Sequence, residues 1–409
     1  MSIGRLSMSR RASCATSTVT LWIFGIFAGI MMPLAQAQQT VKIAVIAPVS
    51  GAFSVSGQDI VNGAKLAAEE INAKGGIKSL GGAKVELVIG DAGDTPDKTT
   101  AIARQILAQR PAAAIGSWYS SLSLAGTQIA EQQKIPWVTG SYSDALVERG
   151  FQYTFQMVVG VKAGSSATDL ILTKLIKQQG RKTRVVVVKD TNVASNELYR
   201  GVQKLAQDGA IDLVGTETWT PPLADATPIA TSMLSQKPDV IVISGTSTTD
   251  SSLLQRQLNA QGSKAVVVGL AASQGNPTYL SSLGSDALQG MMVPIQGFPG
   301  KGAEKVNEAY VKLTKQPFMD AEALTGYTNL WVVAKAVEAA KSAKPEDVHK
   351  ALKSLHLKND PIISLLPGGT DFKFGPDGRR VGAEVMIIQW QNGQPRVIFP
   401  DSLANAKPI

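Results

Sequence analysis

Residues 112–143, AAAIGSWYSSLSLAGTQIAEQQKIPWVTGSYS, decide the fold of this chain. The short runs AAAIG and IPWVTG have the apolar composition of buried strands, and the apolar residues of LSLAGTQIAEQQ between them have helical spacing. A strand, a helix and a second strand in this order form the crossover unit of a parallel sheet. The stretch therefore predicts an α/β fold with parallel strands.

Serines follow both predicted strands of this unit. Ser120 and Ser121 come after the first strand, and Ser141 and Ser143 come after the second. Ligands of open parallel sheets bind outside the carboxyl ends of the strands, and a helix amino terminus offers unpaired N–H groups to an anion. We therefore expect these serines to bind a small carboxylate. For Ser121 an alternative is an N-cap role, which is worth about 1 kcal/mol of helix stability.

The alternation of strands and helices continues on both sides of this stretch. Before it, TVKIAVIAPVSG and KVELVIGDAGD predict strands, and each is followed by a segment with helical spacing. From FQYTFQMVVG onward the pattern restarts and predicts a second α/β unit of similar size. A chain of 409 residues is long enough for such a division.

The last third of the chain departs from this alternation. GMMVPIQGFPG interrupts it, and three helices without intervening strands are predicted after that segment. The end, DFKFGPDGRRVGAEVMIIQWQNGQPRVIFP, has turn signals at PDG and NGQ and predicts antiparallel strands. Helices without strands must pack on an existing sheet, and hairpin strands must join one. We therefore expect the chain to cross back between two lobes.

Residues 1–37 have the features of a secretory signal peptide. Three arginines precede the apolar run VTLWIFGIFAGIMMPL, and the small-x-small sequence Ala35-Gln36-Ala37 follows it. The uncharged run is shorter than the roughly 20 residues of a spanning helix. These features predict export to the periplasm with cleavage near Ala37. Cleavage would remove Cys14, the only cysteine, so the exported chain cannot contain a disulfide.

Composition and motifs argue against several functions. The net charge of +8 comes from basic residues scattered among acids, which does not indicate a nucleic-acid surface. No phosphate loop, nucleophile elbow or zinc-ligand set is present in the sequence. The two histidines, His349 and His356, are seven residues apart on one predicted surface helix, and we expect both to be solvated. The sequence predicts no catalytic residue, metal or cofactor.

Several segments, taken together in their order and spacing, resemble the leucine/isoleucine/valine-binding family of periplasmic solute-binding proteins. They are KIAVIAPVSG, GQDIVNGAKLAAEEINAKGGI, IGSWYSS, QGMMVPIQGF and FGPDGRRVGAEVMIIQW. The resemblance implies a type I fold of two doubly wound, parallel-sheet α/β lobes joined by three hinge crossovers. The crossovers would fall near Met157, near Val293 and between His356 and Leu365. The implied lobes are 38–156 with 293–360, and 157–292 with 361–409.

The same resemblance implies a function. The protein would be an extracytoplasmic receptor of an ABC transporter that closes on an amino acid or another small carboxylate. It would be a monomer and would deliver its solute to an ABC permease in the inner membrane. The alternative is a periplasmic sensor module that presents a bound solute to a signalling partner.

The resemblance also implies which residues bind the ligand. Ser120, Ser141 and Ser143 would hold the ligand carboxylate with hydroxyl and main-chain groups. Trp118 and Tyr119, just before the serines, are candidates for packing on the ligand body, with core packing as the alternative. Candidates from the second lobe that would face the crevice are Asn192 and Asp250, and Thr246 is a further candidate at a family ligand position.

The sequence departs from the family pattern where an ammonium group would bind. Ala271 stands where leucine-type binders place an acid, and Ser56 stands where they place an aromatic residue of the first loop. Family tyrosines likewise fall at about Ala194 and Thr246. A buried ammonium without a counter-charge costs several kcal/mol. Either the ligand lacks an ammonium or another acid compensates; Glu322 is the candidate, with a solvated helix-start carboxylate as its alternative.

Overall fold

The computed structural model describes residues 40–176 and 180–409. The predicted signal peptide, its cleavage site at Ala37 and Cys14 lie outside these residues and stay predictions. No helix within the described residues is long and apolar enough to span a membrane.

The first lobe, as we use the term, is built on a parallel sheet of five strands. Its strands are β1 (Thr40–Ala47), β2 (Lys84–Asp91), β3 (Ala113–Gly116), β4 (Trp137–Thr139) and β5 (Thr154–Gln156). Its connecting helices are α1 (Ser54–Ala73), α2 (Pro96–Leu107), α3 (Ser120–Gln133) and α4 (Ala145–Glu148). The strand order is β2-β1-β3-β4-β5. The short, fully buried strands β3 and β4 fit a sheet covered on both faces.

The second lobe is built on a sheet of seven strands. The strands that follow β5 along the chain are β6 (Arg184–Asp190), β7 (Asp212–Trp219), β8 (Val240–Ser244), β9 (Val266–Gly269), β10 (Met292–Ile295), β11 (His356–Lys358), β12 (Asp371–Lys373), β13 (Met386–Gln391) and β14 (Gln394–Phe399). The order in the seven-stranded sheet is β14-β13-β10-β9-β8-β6-β7, and β11 pairs with β12 separately. Strand β13 is antiparallel to both of its neighbours, whereas the remaining pairs are parallel.

Helices cover both faces of the second sheet. The α-helices that follow β5 along the chain are α5 (Val161–Leu170), α6 (Val193–Gln207), α7 (Thr227–Ser235), α8 (Thr248–Ala260), α9 (Pro277–Leu283), α10 (Ser285–Leu288), α11 (Glu304–Thr314), α12 (Ala321–Ala340) and α13 (Pro345–Ser354). In β6, Val185 and Val187 join one apolar core, and Val186 and Val188 join another. This alternation follows from the two-residue period of a strand, so a continuous valine run needs cover on both sides.

The chain passes between the two sheets three times. It leaves the first sheet after β5 and builds the second sheet from β6 to β10. Helix α12 then returns to pack on α1, β3 and β4, and β13 and β14 rejoin the second sheet. This arrangement confirms the α/β class with two lobes and three crossovers, while the residue bounds of the lobes stay a prediction. The predicted turn at NGQ is also present, since Asn392 and Gly393 both have positive φ between β13 and β14.

Two sequence-based expectations are wrong. GMMVPIQGFPG does not merely interrupt the alternation, because β10 lies within it and pairs with β9 and β13. The strand is hard to predict, because a proline such as Pro294 is rare in a central strand. The histidines do not share a helix, since His349 is on α13 and His356 begins β11. His349 is half-buried and stacks on Tyr153, with 4.1 Å between the ring centroids.

Helices α1 and α12 cross so closely that their backbones are nearly in contact. A Cβ atom added at Gly63 would lie 1.8 Å from the carbonyl oxygen of Ala323, and one added at Gly326 would lie 2.1 Å from that of Ile60. These glycines are needed because backbone atoms cannot give way as a flexible side chain can. The crossing fixes the start of α12 against α1.

We therefore predict that Gly63→Ala lowers the free energy of unfolding by about 1–3 kcal/mol or more, because the added methyl group must push the two helices apart. Lys65→Ala is the matched control, since Lys65 is exposed on the same helix, and it should change stability by less than about 0.5 kcal/mol. Urea denaturation followed by tryptophan fluorescence measures both. Equal midpoints for the two variants would show that the crossing is looser than described.

Candidate ligand-binding site

The loop after β3 turns sharply before α3 begins. Gly116 has φ of 121°, and a Cβ atom there would lie 2.0 Å from the carbonyl oxygen of Ile46. Trp118 has φ of 81°, a conformation that non-glycine residues rarely adopt. Held in this way, the loop brings Ser120 to the carboxyl edge of the first sheet as the first residue of α3.

The amino terminus of α3 carries unpaired backbone donors. Its N-cap residue is Tyr119, which makes no side-chain capping bond. The N–H groups of Ser120, Ser121 and Leu122 have no acceptor among the described residues. The N-cap interpretation of Ser121 is therefore wrong. Three N–H groups and the positive end of the helix dipole together make an arrangement that suits an anion.

The predicted serines have different hydrogen-bond partners. The Oγ atom of Ser120 accepts a bond of 3.2 Å from the backbone N–H of Ser143. Ser143 in turn donates its hydroxyl to Oε1 of Glu197 on α6, at 3.0 Å. The hydroxyl of Ser141 is donated to the carbonyl oxygen of Trp118, at 2.6 Å. Ser141 thus supports the loop, whereas Ser143 connects the first lobe to the second.

Side chains from both lobes line a cavity of about 30 Å³ in front of α3. No charged side chain is among its described lining. Six of the ten predicted site residues belong to it, and Ser121, Ser141, Ser143 and Glu322 do not. The lining consists of Trp118, Tyr119, Ser120, Tyr142, Asn192, Ala194, Ser195, Leu198, Thr246, Leu270, Ala271 and Ala272.

A larger cavity of about 690 Å³ lies between α4, α5 and α6. It contains none of the ten predicted residues, and its walls include charged side chains such as Glu148, Arg200 and Lys204. The carboxyl ends of the strands and the start of α3 face the smaller cavity. We therefore take the smaller cavity as the candidate site.

Tyr119 connects the two lobes beside this cavity. Its Oη atom donates to the carbonyl oxygen of Thr246 at 3.0 Å, and its ring stacks on Phe53 with 3.9 Å between centroids. Asp190 fixes the position of Thr246, because it accepts a hydrogen bond of 2.8 Å from the backbone N–H of Thr246. Asn192 donates to the Thr246 hydroxyl at 3.4 Å and accepts from the N–H of Ala194 at the start of α6. The structure thus brings these predicted residues of both lobes together.

Glu322 is fully buried at the start of α12. Ser56 donates its hydroxyl to Oε1 of Glu322 at 3.3 Å, and Oε2 has no partner among the described residues. The interpretation of Glu322 as a solvated carboxylate is wrong, because the close crossing of α1 and α12 buries this end of the helix. Ala271 lines the cavity, and its N–H bonds to Oε1 of Gln274 at 3.0 Å.

A family model for periplasmic binding proteins matches residues 40–395. The chain belongs to the periplasmic binding protein family. This membership, together with the inter-lobe cavity, confirms the expectation of a solute-binding receptor rather than an enzyme.

Known proteins support this membership along the length of the chain. The Leu/Ile/Val-binding protein homolog 7 of Brucella melitensis is 23% identical over 389 residues, which cover 92% of this chain and 96% of that protein. The structure of LivJ from Streptococcus pneumoniae in complex with isoleucine has a TM-score of 0.76 at 19% identity, over 88% of this chain and 100% of that one. A fatty acid ABC transporter substrate-binding protein from Thermomonospora curvata has a TM-score of 0.74 at 22% identity, over 91% of this chain and 95% of that one. Both structures share the fold.

In this binding protein, three carboxyl groups are buried together behind the cavity. Asp59 accepts hydrogen bonds from Asn276 at 2.9 Å and from Tyr310 at 3.0 Å, while Asp320 caps α12. Burial, and then the charges of Asp59 and Glu322, raise the pKa of Asp320 well above its usual value. Burial, and then the charge of Asp59, raise the pKa of Glu322 to about 8. Glu322 is therefore mostly protonated at neutral pH.

Several lining residues were missed by the sequence analysis. Tyr142 lies between two predicted serines, and Leu198 lies one helical turn after Ala194 on α6. The spacing of four residues along α6 could have indicated Leu198. Leu270 directly precedes Ala271 and could have been included with it. Among the described residues, no group of side chains is suited to hold a metal ion.

The raised pKa of Glu322 predicts a pH dependence of stability. In the unfolded chain this carboxyl titrates near 4.5, and in the folded chain near 8. Between these pH values the folded state binds more protons, so the free energy of unfolding falls as pH rises. In Glu322→Gln, the free energy of unfolding should fall less between about pH 5 and pH 8 than in the unaltered protein. Urea denaturation at a series of pH values measures this difference. The control is Glu308→Gln, at an exposed position of α11, which should show the same pH dependence of stability as the unaltered protein. An equal fall in the free energy of unfolding in both variants would contradict the prediction.

Proposed function

We propose that this chain is the solute-binding receptor of an ABC importer and that it holds a small carboxylate, of an amino acid or of another acid, between its two lobes. The observation that carries the proposal is the cavity that both lobes line in front of the unpaired N–H groups of α3. Export with cleavage near Ala37, a monomeric state and delivery to a permease in the inner membrane belong to the same proposal.

The carboxylate of the solute binds at the start of α3. The N–H groups of Ser120 and Ser121 donate to its oxygens, and the helix dipole favours the negative charge. The Ser120 hydroxyl accepts from the N–H of Ser143, so its own proton remains to be donated to the carboxylate. Ser143 thereby orients Ser120. Ser141 acts indirectly, by holding the loop through the carbonyl oxygen of Trp118.

The body of the solute lies between the walls of the cavity. Trp118 and Tyr119 form the wall of the first lobe, and Asn192, Thr246 and Ala271 belong to that of the second. Aromatic walls with a few polar groups are typical of small-molecule sites. The polar groups of Asn192 and Thr246 orient the solute, and the aromatic rings supply apolar contact.

Closure of the lobes is the mechanism of capture. Hydrogen bonds that join the lobes include those from Tyr119 to Thr246, from Ser143 to Glu197 and from Ser247 to the carbonyl oxygen of Ala52. A solute that touches both walls binds the closed form better than the open form and shifts the equilibrium between them. The closed form is then the one that the permease recognises.

The named relatives support this class of solute. The LivJ structure contains isoleucine, and the Thermomonospora curvata protein is named for a fatty acid. Both ligands carry a carboxylate, whereas only isoleucine has an ammonium group. The fold is thus compatible with either kind of acid.

Ser120→Ala should weaken solute binding by about 1–3 kcal/mol, because a charge-assisted hydrogen bond to the carboxylate is lost. Thermal shift against L-leucine, L-phenylalanine, 4-methylpentanoate and 3-phenylpropionate identifies the best binder, and isothermal titration calorimetry then compares its affinity for the variant and for the unaltered protein. Ser235→Ala, at an exposed position on α7, is the control and should bind normally. Unchanged affinity of Ser120→Ala would remove the carboxylate assignment.

A further inference from the structure

We propose that the solute is a monocarboxylate with an apolar body and no ammonium group. This inference rests on the proposed function, because it concerns the same cavity, and it narrows the solute to one chemical class. It follows from an imbalance in the described lining of the cavity: the lining has hydrogen-bond donors for an anion, but no carboxylate that would pair with an ammonium.

At the start of α3, several hydrogen-bond donors are available to an anion. The N–H groups of Ser120, Ser121 and Leu122 have no acceptor among the described residues, and the Ser120 hydroxyl has a proton to donate. These donors belong to the rigid start of a helix of 14 residues. A carboxylate can therefore be stabilised here without a basic side chain.

The cation side has no corresponding acceptor. The lining contains no aspartate or glutamate, and at Ala271 it presents a methyl group. The acid directly behind the lining is Asp190, which already accepts from the N–H of Asn192 and from the N–H and hydroxyl of Thr246. Asp190 is fully buried and therefore cannot reach a solute without breaking these bonds.

Glu322 does not supply the missing charge. It is outside the lining, and its Oε1 atom accepts from Ser56. Burial raises its pKa to about 8, so it is mostly uncharged at neutral pH in the absence of a bound cation. Burial, and then the charge of Glu322, raise the pKa of Tyr142, which does line the cavity. An ammonium in the cavity would thus have no carboxylate of the described lining as its direct counter-charge.

The remaining walls indicate an apolar body. The rings of Trp118, Tyr119 and Tyr142 and the side chains of Leu198 and Leu270 all line the cavity. Large aromatic surfaces favour apolar or aromatic groups over charged ones. An aryl-alkanoate or a branched alkanoate matches this wall and the donors of α3 in its chemistry, and the cavity of about 30 Å³ must widen to admit it.

The test compares acids that differ only in the ammonium group. Isothermal titration calorimetry of the exported chain at pH 7 measures 3-phenylpropionate against L-phenylalanine, and 4-methylpentanoate against L-leucine. At least one acid should bind about a hundredfold more tightly than its amino acid, because the unpaired ammonium is expensive to bury. An amino acid that binds as tightly as its acid would overturn the inference and leave the proposed function standing. No binding of any of the four would overturn both.

Two variants at Ala271 test whether the missing carboxylate causes the preference for acids without an ammonium group. Ala271→Glu should strengthen binding of L-phenylalanine at least about tenfold, since it adds a counter-charge to the lining. Ala271→Gln, of the same size without the charge, should not. If Ala271→Glu does not strengthen binding of L-phenylalanine, the absence of a carboxylate from the lining does not exclude the ammonium, and the inference is contradicted. Loss of amino-acid binding in Glu322→Gln would make Glu322 the counter-charge and overturn the inference as well.

Discussion

The site depends on the unpaired N–H groups at the start of α3. Buried backbone donors are normally satisfied, because leaving one unpaired costs about as much as a lost hydrogen bond. Here three N–H groups have no acceptor among the described residues, and the first of them belongs to Ser120, which lines the cavity between the lobes. We propose that an anionic solute satisfies them. The strained loop at Gly116 and Trp118 and the hydroxyl of Ser141 hold these donors in place.

Residues of the second lobe complete the candidate site in front of α3. Tyr119 and Ser143 extend from the first lobe to Thr246 and Glu197, and residues of both lobes line the cavity. Behind the cavity, Glu322 belongs to a group of buried carboxyls whose charged forms are disfavoured by burial. The wall of the cavity is uncharged because its described lining contains no ionised side chain.

Much of this arrangement could be predicted from the sequence, and the parts that could not depend on contacts distant along the chain. The pattern of residues 112–143 gave the parallel sheet, and the serines after β3 and β4 indicated the site, because both are local signals. The strand β10 was missed because Pro294 is a local signal against it. The burial of Glu322 follows from the crossing of α1 and α12 at Gly63, which no spacing within α12 indicates.

The central claim is that the start of α3 binds the carboxylate of a solute enclosed by both lobes. A crystal structure of the exported chain with 3-phenylpropionate tests it most directly. The account predicts the carboxylate within hydrogen-bonding distance of the backbone nitrogens of Ser120 and Ser121, with the phenyl ring between Trp118 and Leu270. A carboxylate bound away from α3, or a solute that contacts one lobe alone, would contradict it.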